Sequence, residues 1–245
     1  MSPDSTDPAG TSADGPAATF MRTLLERATP EQRQKYTRYF PGDDSFAGVR
    51  MGDVFALAGG ARAMPVGEIE VLLESPVHEV RAGACSIMGK AATHRTVSVE
   101  RHRDLYELYL RRHDRIDTWD LVDLGAHQVV GSWLVDKPRD PLYALAQSSF
   151  WPERRTAIVA TAAFLRRQEN TDTLRLARML AADENDLVQK ATGWMLRYAG
   201  DVDRAALLAF LDEEAATLPR LTLRAAIEKL DKPTRAGYLA AAGTR

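Results

Sequence analysis

Cysteine is nearly absent. Cys85 stands alone in 245 residues, which excludes an internal disulfide framework and a cysteine-based zinc site and makes a reducing cytoplasm the default compartment. Long hydrophobic runs are missing too: no apolar stretch approaches the roughly 20 residues that span a bilayer, so no membrane role is expected. The N-terminal segment is acidic and has no apolar centre, unlike a signal peptide. Lysine is scarce. Of 32 basic residues only Lys35, Lys90, Lys137, Lys190, Lys229 and Lys232 are lysines, so positive charge rests on arginine, whose planar fork suits phosphate. No phosphate-binding glycine loop is present, because Gly59-Gly60 is short and no Lys-Ser or Lys-Thr follows it.

What remains is the composition of an ordinary globular protein, 45% apolar and 27% charged, long enough for one large core or two small ones. The formal net charge of −2 speaks against a nucleic-acid partner, yet the first 20 residues hold Asp4, Asp7 and Asp14 with no basic residue, which leaves the remainder at +1. Residues 1–18, rich in Pro, Gly, Ser, Asp and Ala, are expected to be a disordered acidic tail, and residues 19–245 a single domain.

From Thr19 onward apolar residues recur at i, i+3, i+4 and i+7, and Val, Ile and Thr never alternate as in a strand. Phe20, Leu24 and Leu25 open the first helix. Thr29 caps the next, with Pro30 in its first turn. Residues 41–44 read as a turn, and Ala58-Gly59-Gly60 as a helix end. A unit then repeats. Segments around Arg81, Arg155, Lys190 and Arg224 each show a cap or turn signal, about half a dozen residues, a basic residue, and then small and apolar residues. Arg155, Lys190 and Arg224 are separated by 35 and 34 residues, and Arg81 lies 74 before Arg155, leaving room for one unit centred on 115–123. That period predicts an all-α chain, an α-solenoid of HEAT-like helix pairs. Its repeated basic positions would line a concave groove that fits a phosphate backbone. The alternative is that each basic residue pairs with a neighbour on its own helix, such as Glu79, Glu153 or Glu228. Both readings stand at this point.

Trp119 and Asp123 are four residues apart and share one helix face, with Leu121 and Val122 turned to the core. A ring face and a carboxylate together suit a developing cation. Trp194 and Arg197 form a second close pair, on the helix that carries Lys190. The histidines offer no comparable chemistry. His78-Glu79 lacks a second His four positions on and reads as first-turn chemistry, with Ser75 as N-cap and Pro76 at the first helical position. His94, His102 and His113 show no ligand spacing, so no metal site is expected.

Five segments in order, SPVHEVR (75–81), WDLVD (119–123), WPERRTAIVAT (151–161), DLVQKATGWMLR (186–197) and PRLTLRAAIEKL (219–230), resemble the bacterial DNA alkylation repair glycosylases of the AlkD type. The resemblance runs from about Tyr39 to Leu239. It implies a DNA glycosylase that hydrolyses the N-glycosidic bond of cationic N3- or N7-alkylated purines in double-stranded DNA without flipping the base. No cofactor is implied, and the protein is expected to act as a nucleoid-associated monomer in the cytoplasm. By the same resemblance Asp123 is the catalytic aspartate, Trp119 its aromatic partner and Trp194 the second tryptophan against the lesion's sugar. Arg155, Arg197 and Arg224 fall where the family meets phosphates, with Lys190 and Arg81 in the same stripe and Tyr39 at an N-terminal aromatic near DNA. Two alternatives remain: a glycosylase for bulky natural-product adducts in self-resistance, and a non-catalytic HEAT-like scaffold for nucleic acid or protein, which has no need of the Trp119–Asp123 pair.

Overall fold

The computed structural model describes residues 15–39 and 45–241. The expected tail up to residue 14 and the turn at 41–44 lie outside them. Helices dominate throughout. The N-terminal ones are α1 (Pro16–Leu25), α2 (Pro30–Tyr39), α3 (Met51–Gly60), α4 (Val66–Leu73), α5 (His78–Ala92) and α6 (Val99–Arg111). Then follow α7 (Trp119–Gly125), α8 (Ser132–Leu134), α9 (Asp140–Leu145), α10 (Trp151–Ala160), α11 (Ala162–Leu165) and α12 (Thr171–Met179). The chain closes with α13 (Asp186–Val202), α14 (Arg204–Glu214), α15 (Arg220–Ala226) and α16 (Lys232–Ala241). Among the described residues the β-structure is one isolated bridge, Ser45 to Val77.

The described residues group into two compact units, one up to Ile87 and one from Met88, the division falling within α5. In the first, α1 packs on α3 and α4. Its start corrects the tail boundary. The helix begins at Pro16 and not near Thr19, with Gly15 as N-cap, because proline's fixed φ suits a first turn. Ala17 is buried and donates its backbone N–H to Glu68 Oε2 at 2.8 Å. The helix of His78 also starts later than the Ser75 cap predicts. Ser75 Oγ accepts from Val77 N, and His78 N donates to Ser45 O at 2.8 Å, so this stretch stays extended against Ser45. Glu79 then does more than favour a helix dipole. Fully buried, its carboxylate accepts the backbone N–H groups of Ala47, Gly48 and Val49 at 3.1, 2.7 and 3.1 Å. It satisfies three donors of a loop that has no ladder to join. Gly48 is held there at φ 96°, where a Cβ would come within 2.2 Å of Thr29 O.

In the second unit the expected helix-pair architecture of an α-solenoid is present. α10 packs on α7 and then α13, α13 packs on α15, and the intervening α9, α12 and α14 pack against α10 and α13. The stacking is tight where side chains are smallest. A Cβ on Gly193 of α13 would lie 2.6 Å from Thr222 O on α15, so glycine lets those backbones approach. One consequence governs the site. Asp123, Arg155, Lys190 and Arg224 are each the fifth residue of their helices α7, α10, α13 and α15.

Candidate functional site: a carboxylate seated on a buried arginine

Helix α7 opens at Trp119 and buries Leu121, Val122 and Gly125; removing a Leu or Val side chain of this kind from water stabilises by about 2 kcal/mol. Its other face carries Trp119 and Asp123. Thr118 Oγ1 donates to Asp120 Oδ1 at 2.8 Å, which occupies the neighbouring carboxylate and leaves Asp123 as the acid beside the next helix. A π-helical segment, Ala126–Gly131, follows at once and leads into α8. Such insertions widen a helix locally and concentrate at functional sites. Here the widened turn comes against α10, where a Cβ on Gly131 would lie 2.2 Å from Ala160 O.

Arg155 lies directly behind Asp123. Its Nε donates to Oδ1 at 3.0 Å and its Nη2 to Oδ2 at 2.8 Å, a bidentate pair across two helices. The remaining Nη1 donates to the backbone oxygen of Leu187 on α13. The guanidinium carbon stands 5.8 Å from the ring centroid of Trp194, within cation–π range. The Arg155 side chain is 1% exposed and that of Asp123 31%, so the cation is sealed while one edge of the carboxylate meets solvent. Burial pushes the Asp123 carboxyl above its ordinary value; hydrogen bonding and attraction from Arg155 oppose that, and Asp120 adds to it.

The sequence did not single out His127, one turn beyond Asp123. Burial pushes its pKa down to about 4, with Arg166 acting in the same direction, so it stays neutral at ordinary pH. Continuing the Trp119–Asp123 spacing by four more residues is the signal that finds it.

The repeated basic positions divide. Arg81 and Arg155, expected at the DNA surface, are instead buried, so in this arrangement neither guanidinium faces outward. Packing explains Arg155, since the fifth position of α10 lies against Asp123 of the preceding repeat and a carboxylate there draws the guanidinium inward. Lys190 and Arg224 are exposed, with no ion-pair partner among the described residues. Arg197, partly exposed, is bonded to Glu228. The pairing alternative fares no better. Arg155 turns to another helix and not to Glu153, and Glu228 engages Arg197 in place of Arg224. Trp194 is 38% exposed, and Tyr39 is exposed at the end of α2 in the first unit. The structure thus brings together Asp123, Arg155 and Trp194, with Trp119 one helical turn away on α7.

A family model described as DNA alkylation repair enzyme matches residues 20–230. The chain belongs to that family. It is an enzyme of alkylation-damage repair, which makes DNA its partner. The fold of this repair enzyme is similar to that of a solved structure described as a predicted DNA alkylation repair enzyme from Enterococcus faecalis. The TM-score is 0.67 at 19% identity, covering 84% of this chain and 98% of that one. No curated protein matches the repair enzyme. Among its described residues no helix is long and apolar enough to cross a membrane, and no cluster of His, Cys, Asp and Glu could hold a metal ion.

Proposed function

We propose that this repair enzyme is a DNA glycosylase that hydrolyses the N-glycosidic bond of cationic N3- or N7-alkylated purines in duplex DNA, with Asp123 as its catalytic carboxylate. The observation that carries the reading is the half-open pair: a carboxylate fixed by a buried arginine, one edge facing solvent, with Trp194 beside it.

The chemistry asks little of the protein. An alkylated purine already bears positive charge and departs as a neutral base, so no general acid is required. As the bond breaks, positive charge moves to the sugar, and a carboxylate at its side is stabilising. Alone, a carboxylate about 4 Å away at an effective dielectric near 20 contributes about 4 kcal/mol. With the Arg155 charge a further ~4 Å behind it, roughly half survives, about 2 kcal/mol or thirtyfold in rate. Arg155 therefore weakens the field while keeping the carboxylate oriented. Asp123 has a second task, to accept a proton from the water that attacks the sugar, and general-base assistance typically adds about 10²–10⁴-fold. Trp119 and Trp194 offer ring faces to the cationic sugar, each worth about 0.5–2 kcal/mol. Lys190, Arg197 and Arg224 supply phosphate contacts.

Because the reactive edge faces solvent, the reading requires no base flipping, and bulky adducts are tolerated as substrates as well as methylated ones. The test is release of 7-methylguanine, 3-methyladenine and a bulky N7 adduct from defined duplexes by the wild-type protein and by Asp123→Asn. Release that Asp123→Asn abolishes supports the reading. DNA binding without any release leaves the non-catalytic scaffold.

A further inference from the structure

Three side chains with polar ends are sealed in the core directly behind the site. Tyr109 and Thr156 are 0% exposed and His113 is 3% exposed. They form one chain: the Tyr109 hydroxyl lies 3.1 Å from Thr156 Oγ1, and His113 Nε2 lies 2.9 Å from the same oxygen. Edge-to-face ring contacts flank the chain, from Tyr109 to His113 at 5.3 Å and from His113 to Phe150 at 6.3 Å. Burial lowers the His113 pKa, so the ring is neutral and its Nε2 has a single role toward the hydroxyl. A core of this kind is not assembled for stability, since apolar residues of similar shape do as well or better there. What such a chain adds is a unique register, because the Thr156 hydroxyl has two fixed partners, although His113 Nδ1 itself has none among the described residues.

The register it fixes is that of the site. Thr156 follows Arg155 on α10, so anchoring the Thr156 hydroxyl fixes the rotation of α10 about its axis and hence the direction of its neighbour. Gly125 lies two residues after Asp123, and a Cβ there would be 2.5 Å from Tyr109 Cε2, so the Tyr109 ring seats α7 as its hydroxyl seats α10. We infer that Thr156, bonded to Tyr109 and His113, is a positioning residue that holds Arg155 under Asp123 by tying both helices to the buried end of α6 and the turn after it. The catalytic part of this inference rests on the glycosylase reading; the positioning part does not.

The test is therefore read in two ways on full-length protein. In the first, the Asp123 carboxylate is titrated by 13C NMR without DNA. Thr156→Val should raise its pKa by about half a unit as the Arg155 pair loosens, Thr156→Ser should restore it, and Thr156→Val added to Arg155→Met should change nothing further. In the second, single-turnover base release should fall about tenfold in Thr156→Val, the rate equivalent of one buried hydrogen bond, with duplex affinity unchanged and with recovery in Thr156→Ser. Should Thr156→Val fail to fold, Tyr109→Phe, which deletes one hydroxyl, carries both readouts with the same expected directions. An unmoved Asp123 titration in a folded variant, a serine variant as impaired as the valine one, or additive effects with Arg155→Met would each overturn the proposal. If the wild-type protein releases no alkylated base, the glycosylase reading fails while the titration still decides the positioning role.

Discussion

Two consecutive residues of α10 make the same interaction with opposite consequences. Arg154 grips Asp183 through Nε at 2.6 Å and Nη2 at 3.1 Å, and Arg155 grips Asp123 through the same two donors at 3.0 and 2.8 Å. Around Asp183 everything is closed. Its side chain is 3% exposed, Oδ1 also accepts from Asn185 N at 2.9 Å, and Arg154 donates to the backbone oxygens of Ser148 and Ser149. Asn185 in turn caps α13 through Leu187 N and Val188 N. At Asp123 the burial is reversed, with the arginine sealed and the carboxylate left open. An arginine–carboxylate pair is a fastener when the acid has no lone pair to spare. It leaves a carboxylate accessible when the protein keeps one edge of the acid uncovered.

The largest expected effect separates the two acids. Asp123→Asn should lower base release per folded molecule by at least a hundredfold, combining about thirtyfold of lost electrostatics with the lost proton acceptor. It should also cost about 3 kcal/mol of stability, because the sealed Arg155 guanidinium loses its charged partner, while duplex affinity stays near wild type. Asp183→Asn should affect stability alone, costing about 2 kcal/mol because the sealed carboxylate position loses its charge-assisted hydrogen bonds from Arg154 and Asn185 N, with the rate per folded molecule unchanged. Equal activity losses in both would erase the distinction.

Acid should sharpen it next. The Asp123 carboxyl is raised by burial, so activity should fall on acidification with a midpoint above that of an exposed aspartate. Arg155→Met, which removes the opposing charge, should move that midpoint higher still. Stability responds the other way at this residue. A raised native pKa contributes stability below the unfolded pKa, and the contribution is lost as pH rises through the native one. The histidines dominate the fold's response. His127, His113 and His102 are all lowered, chiefly by burial, so their contribution is full above the unfolded value near pH 6.5 and is lost as pH falls below it. Melting temperature should thus drop several degrees between about pH 7 and pH 5. A flat profile would remove the buried histidines from the account.

Half of this comparison was readable from the chain. The i, i+4 spacing of Trp119 and Asp123, the apolar Leu121 and Val122 between them, and the basic residues recurring every 34–35 positions were sufficient for helix pairs and for the shared face of Trp119 and Asp123. The destination of Arg155 was not readable. A periodic basic position predicts a common surface only if every repeat carries the same charge, and in this stack the member before Arg155 is an aspartate. Local periodicity contains no term for that encounter, which takes place across 32 residues. The π-helical turn at Ala126–Gly131 and the Glu79 clamp on Ala47, Gly48 and Val49 escaped for the same reason. Each is dictated by contacts distant in sequence, while the residues themselves read as ordinary helix and ordinary cap.

A smaller effect belongs to Trp194. Its ring is 38% exposed and stands over the Arg155 guanidinium. Trp194→Leu removes the π face and keeps the apolar bulk, and should slow base release by about tenfold, the worth of one cation–π contact in a partly desolvated site. The duplex affinity should hold. A loss confined to affinity would make Trp194 a DNA-docking residue and not a wall of the reaction site.

The smallest effect tests the repeated position itself. If Arg155, Lys190 and Arg224 formed one electrostatic stripe, each cation removed would reduce the salt dependence of binding equally. Burial says otherwise. Arg155 is sealed by Asp123 and Leu187 O, whereas Lys190 and Arg224 are exposed. Lys190→Ala and Arg224→Ala should therefore each lower the slope of log K against log salt by about 0.9, one phosphate contact on duplex DNA, and weaken binding only a few-fold. Arg155→Met should leave that slope unchanged even though it damages the rate. The decisive measurement is the slope, because a bare affinity confuses a lost phosphate contact with a disturbed fold. A reduced slope in Arg155→Met would mean that the pair opens on DNA and releases its guanidinium to the backbone, so the arrangement seen here would be the resting form of a switch.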